Sequence, residues 1–112
     1  MTDLTEKDTR HVADILHFAG LADRLVAQGQ ASYFAAGDQA ELNRHAAVGL
    51  IISIATAAAR LSNEFVEAHP QVPWQQIRGM RNLLAHRYES INDDLVWATL
   101  AKAIPNLAKA LM

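Results

Sequence analysis

One short segment, from residue 77 to residue 88, concentrates the side chains that can do chemistry: Arg78, Arg81, Asn82, His86, Arg87 and Tyr88. Histidine titrates near neutral pH and can move a proton. The guanidinium of arginine binds phosphate oxygens through a planar fork and can stabilise the charge of a phosphorane-like transition state. These residue types therefore favour chemistry at phosphorus. An RNA substrate supplies its own nucleophile, the 2′-hydroxyl, so neither a metal nor another cofactor is expected.

The segment predicts one helix that sorts its side chains by direction. Successive residues turn by about 100°. Ile77, Met80 and Leu84 then form a core-facing stripe. Arg78, Asn82 and His86 form a second line on a more exposed side. Arg81 and Tyr88 lie at the edge of the stripe, where an arginine is costly to bury without a partner. Arg81 and His86 are roughly 140° apart on an ideal helix. For the two residues to act together, either the Arg81 side chain must reach around the helix, or the helix must end before His86, or a second surface must complete the site.

The polar residues of the segment differ in the roles they can take. Arg81 is a candidate for structural pairing or for contact with a ligand, His86 is a candidate for proton transfer, and Asn82 can hydrogen-bond a phosphate or orient His86. Arg78 and Arg87 are candidates for supporting contacts to the substrate, and solvated surface charge is the alternative for both. An arginine, an asparagine and a histidine also occur together on many helices by chance, so these residues alone leave a purely structural helix open.

Length and composition narrow the class of protein. The chain has 112 residues and no cysteine, so we expect one domain over residues 1–112. The lack of cysteine excludes a disulfide scaffold and a thiolate zinc site, and it is typical of a reducing compartment. With no visible secretion signal and an apolar run, residues 46–59, too short for a membrane span, we expect a cytoplasmic protein. The net charge of −2 disfavours a general nucleic-acid coating protein but allows a locally basic groove.

Hydrophobic periodicity in the first two thirds of the chain predicts helices and no strand. A first helix covers residues 6–28, where apolar residues recur at three- and four-residue spacing. Asp38 and Glu41 form a capping-box-like pair, which predicts that a long helix begins there and continues to residue 68.

The last third of the chain completes the predicted bundle. Two prolines interrupt the chain, and Pro73 is then the first residue of the helix that carries the polar segment, residues 73–87. Asn92 caps a last helix, which Pro105 should kink or restart. The expected architecture is all-α, an up-and-down bundle of four to five helices.

The polar segment and its surroundings resemble a known family. The pattern Arg-Asn-x3-His-x-Tyr, formed by Arg81, Asn82, His86 and Tyr88, resembles the R-x4-H-x-Y signature of HEPN proteins of the HepT toxin type. The resemblance covers nearly all of the chain and is strong from Ile54 onward. Outside the motif it is carried by residues 58–65, 70–82, 91–97 and 104–107.

The resemblance implies an activity and partners. HEPN proteins of this type resemble helical bundles that pair as homodimers and cut RNA, without a metal, in a groove lined by Arg and His of both subunits. On that basis Arg81 and His86 would be catalytic, and the chain would be an endoribonuclease toxin of a type VII-like toxin–antitoxin pair. Its partner would be a minimal nucleotidyltransferase antitoxin, which would silence the toxin by adding AMP to Tyr88.

One position departs from the family pattern. The family often has Gly-Glu in the long helix, and this sequence has Ala55-Thr56 there; a missing carboxylate would change how the groove arginine or histidine is oriented. The first alternative function is therefore a non-catalytic subunit that holds nucleotide or substrate for a nucleotidyltransferase, which the negative net charge also favours. The second is a structural helical dimer in which Arg81 serves folding.

Overall fold

The computed structural model describes residues 5–86 and 90–112, and the described residues form helices and no strand. The helices are α1 (Glu6–Ala27), α2 (Gln30–Tyr33), α3 (Asp38–Ala59), α4 (Asn63–Ala68), α5 (Trp74–His86), α6 (Asp93–Ala98) and α7 (Ile104–Leu111). A π-helical segment, Thr99–Ala103, joins α6 to α7. The expected all-α bundle is confirmed.

Helix α3 is the central element of the bundle. Both α1 and α5 pack against it, while α7 packs on α1. A helix that is covered on several sides must be apolar around most of its circumference, and α3 buries mainly small and branched side chains: Ala40, Ala47, Ile51, Ile54, Ala55, Ala57 and Ala58. By length and composition alone α3 could cross a membrane, but a core helix passes the same test. Its buried isoleucines belong to one core cluster with residues of α1, α6 and α7.

Helix α3 begins at Asp38 as predicted, but the predicted side-chain cap is wrong. The N-cap position is held by Gly37, at φ 106°, and no side chain forms a capping hydrogen bond there. A positive φ of this size suits glycine, which has no Cβ. Asp38 and Glu41 lie in the first turn instead, where their negative charges interact favourably with the helix dipole.

The predicted end of that helix, at residue 68, is also wrong, because the chain breaks between α3 and α4. Ser62 is the N-cap of α4, and its hydroxyl oxygen accepts a hydrogen bond from the Phe65 amide over 3.1 Å. The same hydroxyl donates to Oδ2 of Asp8 over 2.6 Å, and the Ser62 amide donates to Oδ1 of Asp8 over 2.8 Å. Asp8, at the start of α1, is buried. One carboxylate therefore joins the beginning of α1 to the break.

The predictions for the C-terminal helices are confirmed. The Asn92 side chain caps α6 by accepting from the amides of Asp94 and Leu95. The chain then widens into the π-helical segment directly before Ile104 and Pro105. Proline has no N–H to donate and its ring displaces the carbonyl one turn earlier, so a widened turn at this point accommodates it.

Replacing Asp8 by Asn should lower the free energy of unfolding at neutral pH by about 1.5–3 kcal/mol, the range for hydrogen bonds to a charged group. Urea denaturation measures the change. Asp14→Asn is the matched control, since Asp14 lies exposed on the same helix and should change stability by no more than about 0.5 kcal/mol.

The loss should also depend on pH. The hydrogen bond from the Ser62 hydroxyl holds the pKa of Asp8 below its usual value of 3.8, although burial acts in the opposite direction. A lowered folded-state pKa stabilises the protein above the unfolded-state pKa, and this contribution is lost as pH falls through the folded-state pKa. The difference between wild type and Asp8→Asn should therefore shrink below about pH 4. A difference that stays constant down to pH 2 would contradict this origin.

Candidate active site on helix α5

Helix α5 is anchored at its first residue. Trp74 packs against Phe65 of α4, and its indole N–H donates to the His69 carbonyl over 3.0 Å. The Pro73 carbonyl accepts the first bond of the helix, from the Ile77 amide, so the proline precedes the helix by one residue and is not its first residue as predicted. These contacts set where α5 leaves the loop and how it lies on α3.

The core-facing stripe of α5 is confirmed. Leu84 is buried, and Ile77 and Met80 are half-buried against the core cluster. These three side chains share one face of the helix and pack toward α3, the helix that α5 contacts most. The stripe therefore fixes the rotation of α5 about its own axis, and with it the direction of every other side chain on the helix.

Arg81 has the partner that its place beside the stripe requires. Its Nε–H donates to Oγ1 of Thr56 on α3 over 3.0 Å, and both residues are half-buried. Thr56 was singled out as a departure from the family pattern, but its contact with Arg81 was not predicted. The available signal was a single hydroxyl among the alanines at the C-terminal end of α3.

The exposed line of α5 is also confirmed, since Arg78, Asn82 and His86 are all exposed. His86 is the last residue of α5, so the helix does not end before it. Arg81 is turned toward α3, and His86 faces solvent on another side. One copy of α5 does not bring the predicted pair together. The other two candidates, Arg87 and Tyr88, lie outside the described residues.

The charge on α5 is of one sign. The helix contains Arg78 and Arg81 and ends on His86, and no aspartate or glutamate occurs between Trp74 and His86. The whole chain has a formal net charge of −2, so this basic helix stands out against an acidic background. A surface of this kind attracts phosphate groups locally.

An apolar groove runs beside this helix. It has a volume of about 830 Å³ and lies between α5 and the α6–α7 region, with part of α3 as its floor. Two leucines on its rim, Leu83 of α5 and Leu95 of α6, are 43% and 44% exposed. The groove gives α5 an uncovered apolar side next to its basic one.

The described residues contain no group of three or more histidine, aspartate or glutamate side chains that could hold a metal ion. His69 has a structural role instead: it is the C-cap residue of α4, its Nδ1 lies 2.8 Å from the Phe65 carbonyl oxygen, and its ring stacks on Phe65.

The all-α bundle with an Arg-x4-His pair on one helix is that of a HEPN-type protein. The family model for HepT-like ribonucleases matches residues 6–112 of this chain. The chain belongs to that family.

Curated relatives are similar over part of the chain. "Putative RNase TTE0752" of Caldanaerobacter subterraneus is 45% identical over 56 residues, which is 50% of this chain and 50% of that protein. "Putative RNase MJ1380" of Methanocaldococcus jannaschii is 33% identical over 66 residues, 59% of this chain and 61% of that protein. "Probable ribonuclease HepT" of Thermococcus cleftensis is 33% identical over 54 residues, 48% of this chain and 49% of that protein. The matches thus span about half of the length of these relatives. No solved structure matches.

Proposed function

We propose that this protein is a metal-independent endoribonuclease whose catalytic residues are Arg81 and His86. The observation that carries the proposal is the family match over residues 6–112 together with an Arg-x4-His pair on a helix without acidic residues. In the reaction the RNA 2′-oxygen attacks the adjacent phosphorus, the bond to the 5′-oxygen breaks, and a 2′,3′-cyclic phosphate remains. His86 moves a proton between these oxygens, and Arg81 stabilises the charge that develops on the phosphoryl oxygens.

The working site is formed by two copies of the chain. Within one chain Arg81 and His86 diverge around α5, so His86 of one protomer works with Arg81 of its partner. A two-fold dimer places the same surface of both subunits face to face, which makes such an exchange symmetrical and gives two equal sites. The exposed Asn82 and Arg78, together with Arg87, supply further contacts to the RNA backbone.

The apolar groove beside α5 is the surface where the second copy docks. Leu83 and Leu95 on its rim leave large apolar area in water, and a soluble protein gains by covering such an area. The groove shares helix α5 with the candidate site, since Met80 and Leu83 are among the residues that line it. The shared helix favours a second copy over an unrelated protein, because a two-fold contact along α5 brings the candidate residues of both chains to one surface.

A nucleotidyltransferase antitoxin regulates this activity in the cytoplasm by adding AMP to Tyr88. In that step the phenol oxygen attacks the α-phosphorus of ATP, pyrophosphate leaves, and the phenol proton is released. The motif match at Tyr88 supports the assignment. The added phosphate brings a negative charge close to His86 and would repel an RNA phosphate.

Mixing two inactive variants tests the shared site. Arg81→Ala and His86→Ala should each lower RNA cleavage by about 10²–10⁴-fold. When the two proteins are mixed and allowed to exchange subunits, half of the dimers are hybrid, and each hybrid has one intact site. Cleavage should return to about a quarter of the wild-type rate, as expected for two-fold dimers. If cleavage does not recover, each active site uses Arg81 and His86 of the same chain.

The same experiment tests the enzyme itself. If wild type, Arg81→Ala and His86→Ala all leave RNA intact while wild type binds nucleotide, the protein is a non-catalytic subunit of a nucleotidyltransferase. If Arg81→Ala instead unfolds at a much lower temperature than His86→Ala, with no RNA or nucleotide effect, the arginine serves folding.

A charge on the groove rim should separate the dimer. Leu95→Glu places a carboxylate in the proposed interface, so light scattering after gel filtration should report a monomer, with cleavage lost. Leu42→Glu is the matched control, because Leu42 is 63% exposed on α3 and does not line the groove. Both variants should keep the stability of wild type within about 0.5 kcal/mol. A dimeric Leu95→Glu protein would place the interface elsewhere.

Tyr88→Phe should cleave RNA as wild type does and escape silencing. Incubation with ATP and a small nucleotidyltransferase encoded beside the gene should add one AMP to wild type and none to Tyr88→Phe, by intact-mass spectrometry. Tyr33→Phe is the control, since Tyr33 is the other tyrosine and is buried, and burial raises its pKa to about 12. Modification of Tyr88→Phe would contradict the assigned acceptor.

A further inference from the structure

A hydrogen bond joins Thr56 of α3 to Arg81 of α5 where the two helices pack together. On the α5 side the contact is made by the stripe that ends on Leu84, which is 2% exposed. On the α3 side the residues that flank Thr56, namely Ala55 and Ala57, are buried. Between them the Thr56 hydroxyl accepts from Nε of Arg81 over 3.0 Å. The polar pair therefore lies half-buried beside apolar side chains.

A hydrogen bond at Nε orients a guanidinium without occupying its outer edge. The group carries five N–H donors in one plane, and only the Nε–H is used. Within residues 5–86 and 90–112, Arg81 forms no other hydrogen bond and no ion pair. Its four Nη–H donors thus remain available, and a hydroxyl partner, unlike a carboxylate, leaves the full positive charge in place.

We propose that Thr56 is the positioning residue for Arg81: its hydroxyl fixes the plane of the guanidinium, and the free Nη edge then binds a phosphate of the RNA. This inference rests on the proposed ribonuclease function and assigns the residue that sets the orientation of the catalytic arginine. A side chain without a hydrogen-bond acceptor at residue 56 leaves the guanidinium unoriented.

Three substitutions separate these effects. Thr56→Val keeps the shape and removes the hydroxyl, so kcat should fall about tenfold or more, as for other displaced catalytic groups, with KM nearly unchanged. Thr56→Ser keeps the hydroxyl and should restore kcat to the wild-type level. Thr56→Glu places there the carboxylate that the family often has, so an acceptor for the Arg81 Nε–H is again present and kcat should stay above that of Thr56→Val.

Two controls test this role: one repeats Thr56→Val in a protein without Arg81, and the other removes a threonine hydroxyl elsewhere in the chain. In an Arg81→Ala background, Thr56→Val should have no further effect, because a positioning residue acts only through its partner. Thr9→Val is the control for loss of a threonine hydroxyl, since Thr9 is exposed on α1 and its hydroxyl bonds only the Thr5 carbonyl. It should cleave like wild type. Urea denaturation of each variant reports folding separately from cleavage, and Thr56→Val against Thr56→Ser decides the matter if Thr56→Glu does not fold.

Two results would overturn the positioning role of Thr56 without contradicting the proposed ribonuclease activity. One is equal kcat for Thr56→Val and Thr56→Ser. The other is the same fold-loss on Thr56→Val with and without Arg81, which would mark a general packing effect. If wild type does not cleave RNA at all, the proposed function fails first, and the positioning role fails with it.

Discussion

The packing of α5 on α3 is the contact on which the candidate site depends. Because α3 is apolar around most of its circumference, it must be covered by other helices, and α1 and α5 provide that cover. The stripe that ends on Leu84 fixes the rotation of α5. That rotation turns Arg81 toward Thr56 and leaves Asn82 and His86 in solvent. A core-packing requirement thus decides how each functional side chain is presented.

The same contact is the basis for the proposed two-chain site. Packing uses one face of α5, and the arginine beside that face is held at its Nε by a residue of the neighbouring helix. The histidine at the end of the helix has no such support from α3. The groove on another side of α5 has exposed leucines on its rim, so this helix also has apolar area left to cover. The proposed second copy would cover that area and supply the missing partner of the pair.

Much of the fold follows from local patterns. The extent of α1, the Asn92 cap and the disturbance near Pro105 depend on periodicity, a short side chain and a missing N–H, all of which act within a few residues. The error at the end of α3 occurs where a distant residue competes with such a pattern. The apolar spacing of α3 continues into α4, but Ser62 leaves the helix because the buried carboxylate of Asp8, 54 positions earlier, binds its amide and its hydroxyl. No local signal near residue 62 contains that partner.

The residues of the candidate site divide in the same way. The sequence alone identifies Arg81 and His86 as the candidate pair, because the Arg-x4-His spacing, the absence of acidic residues between 74 and 86, and the divergence of the pair around a helix are properties of one segment. The bond between Thr56 and Arg81 and the groove beside α5 are visible only in the folded chain. The bond joins α3 to α5, and the groove lies between α5 and the α6–α7 region. Such contacts depend on how the helices pack against one another, and the residue spacing within a single helix does not specify that packing.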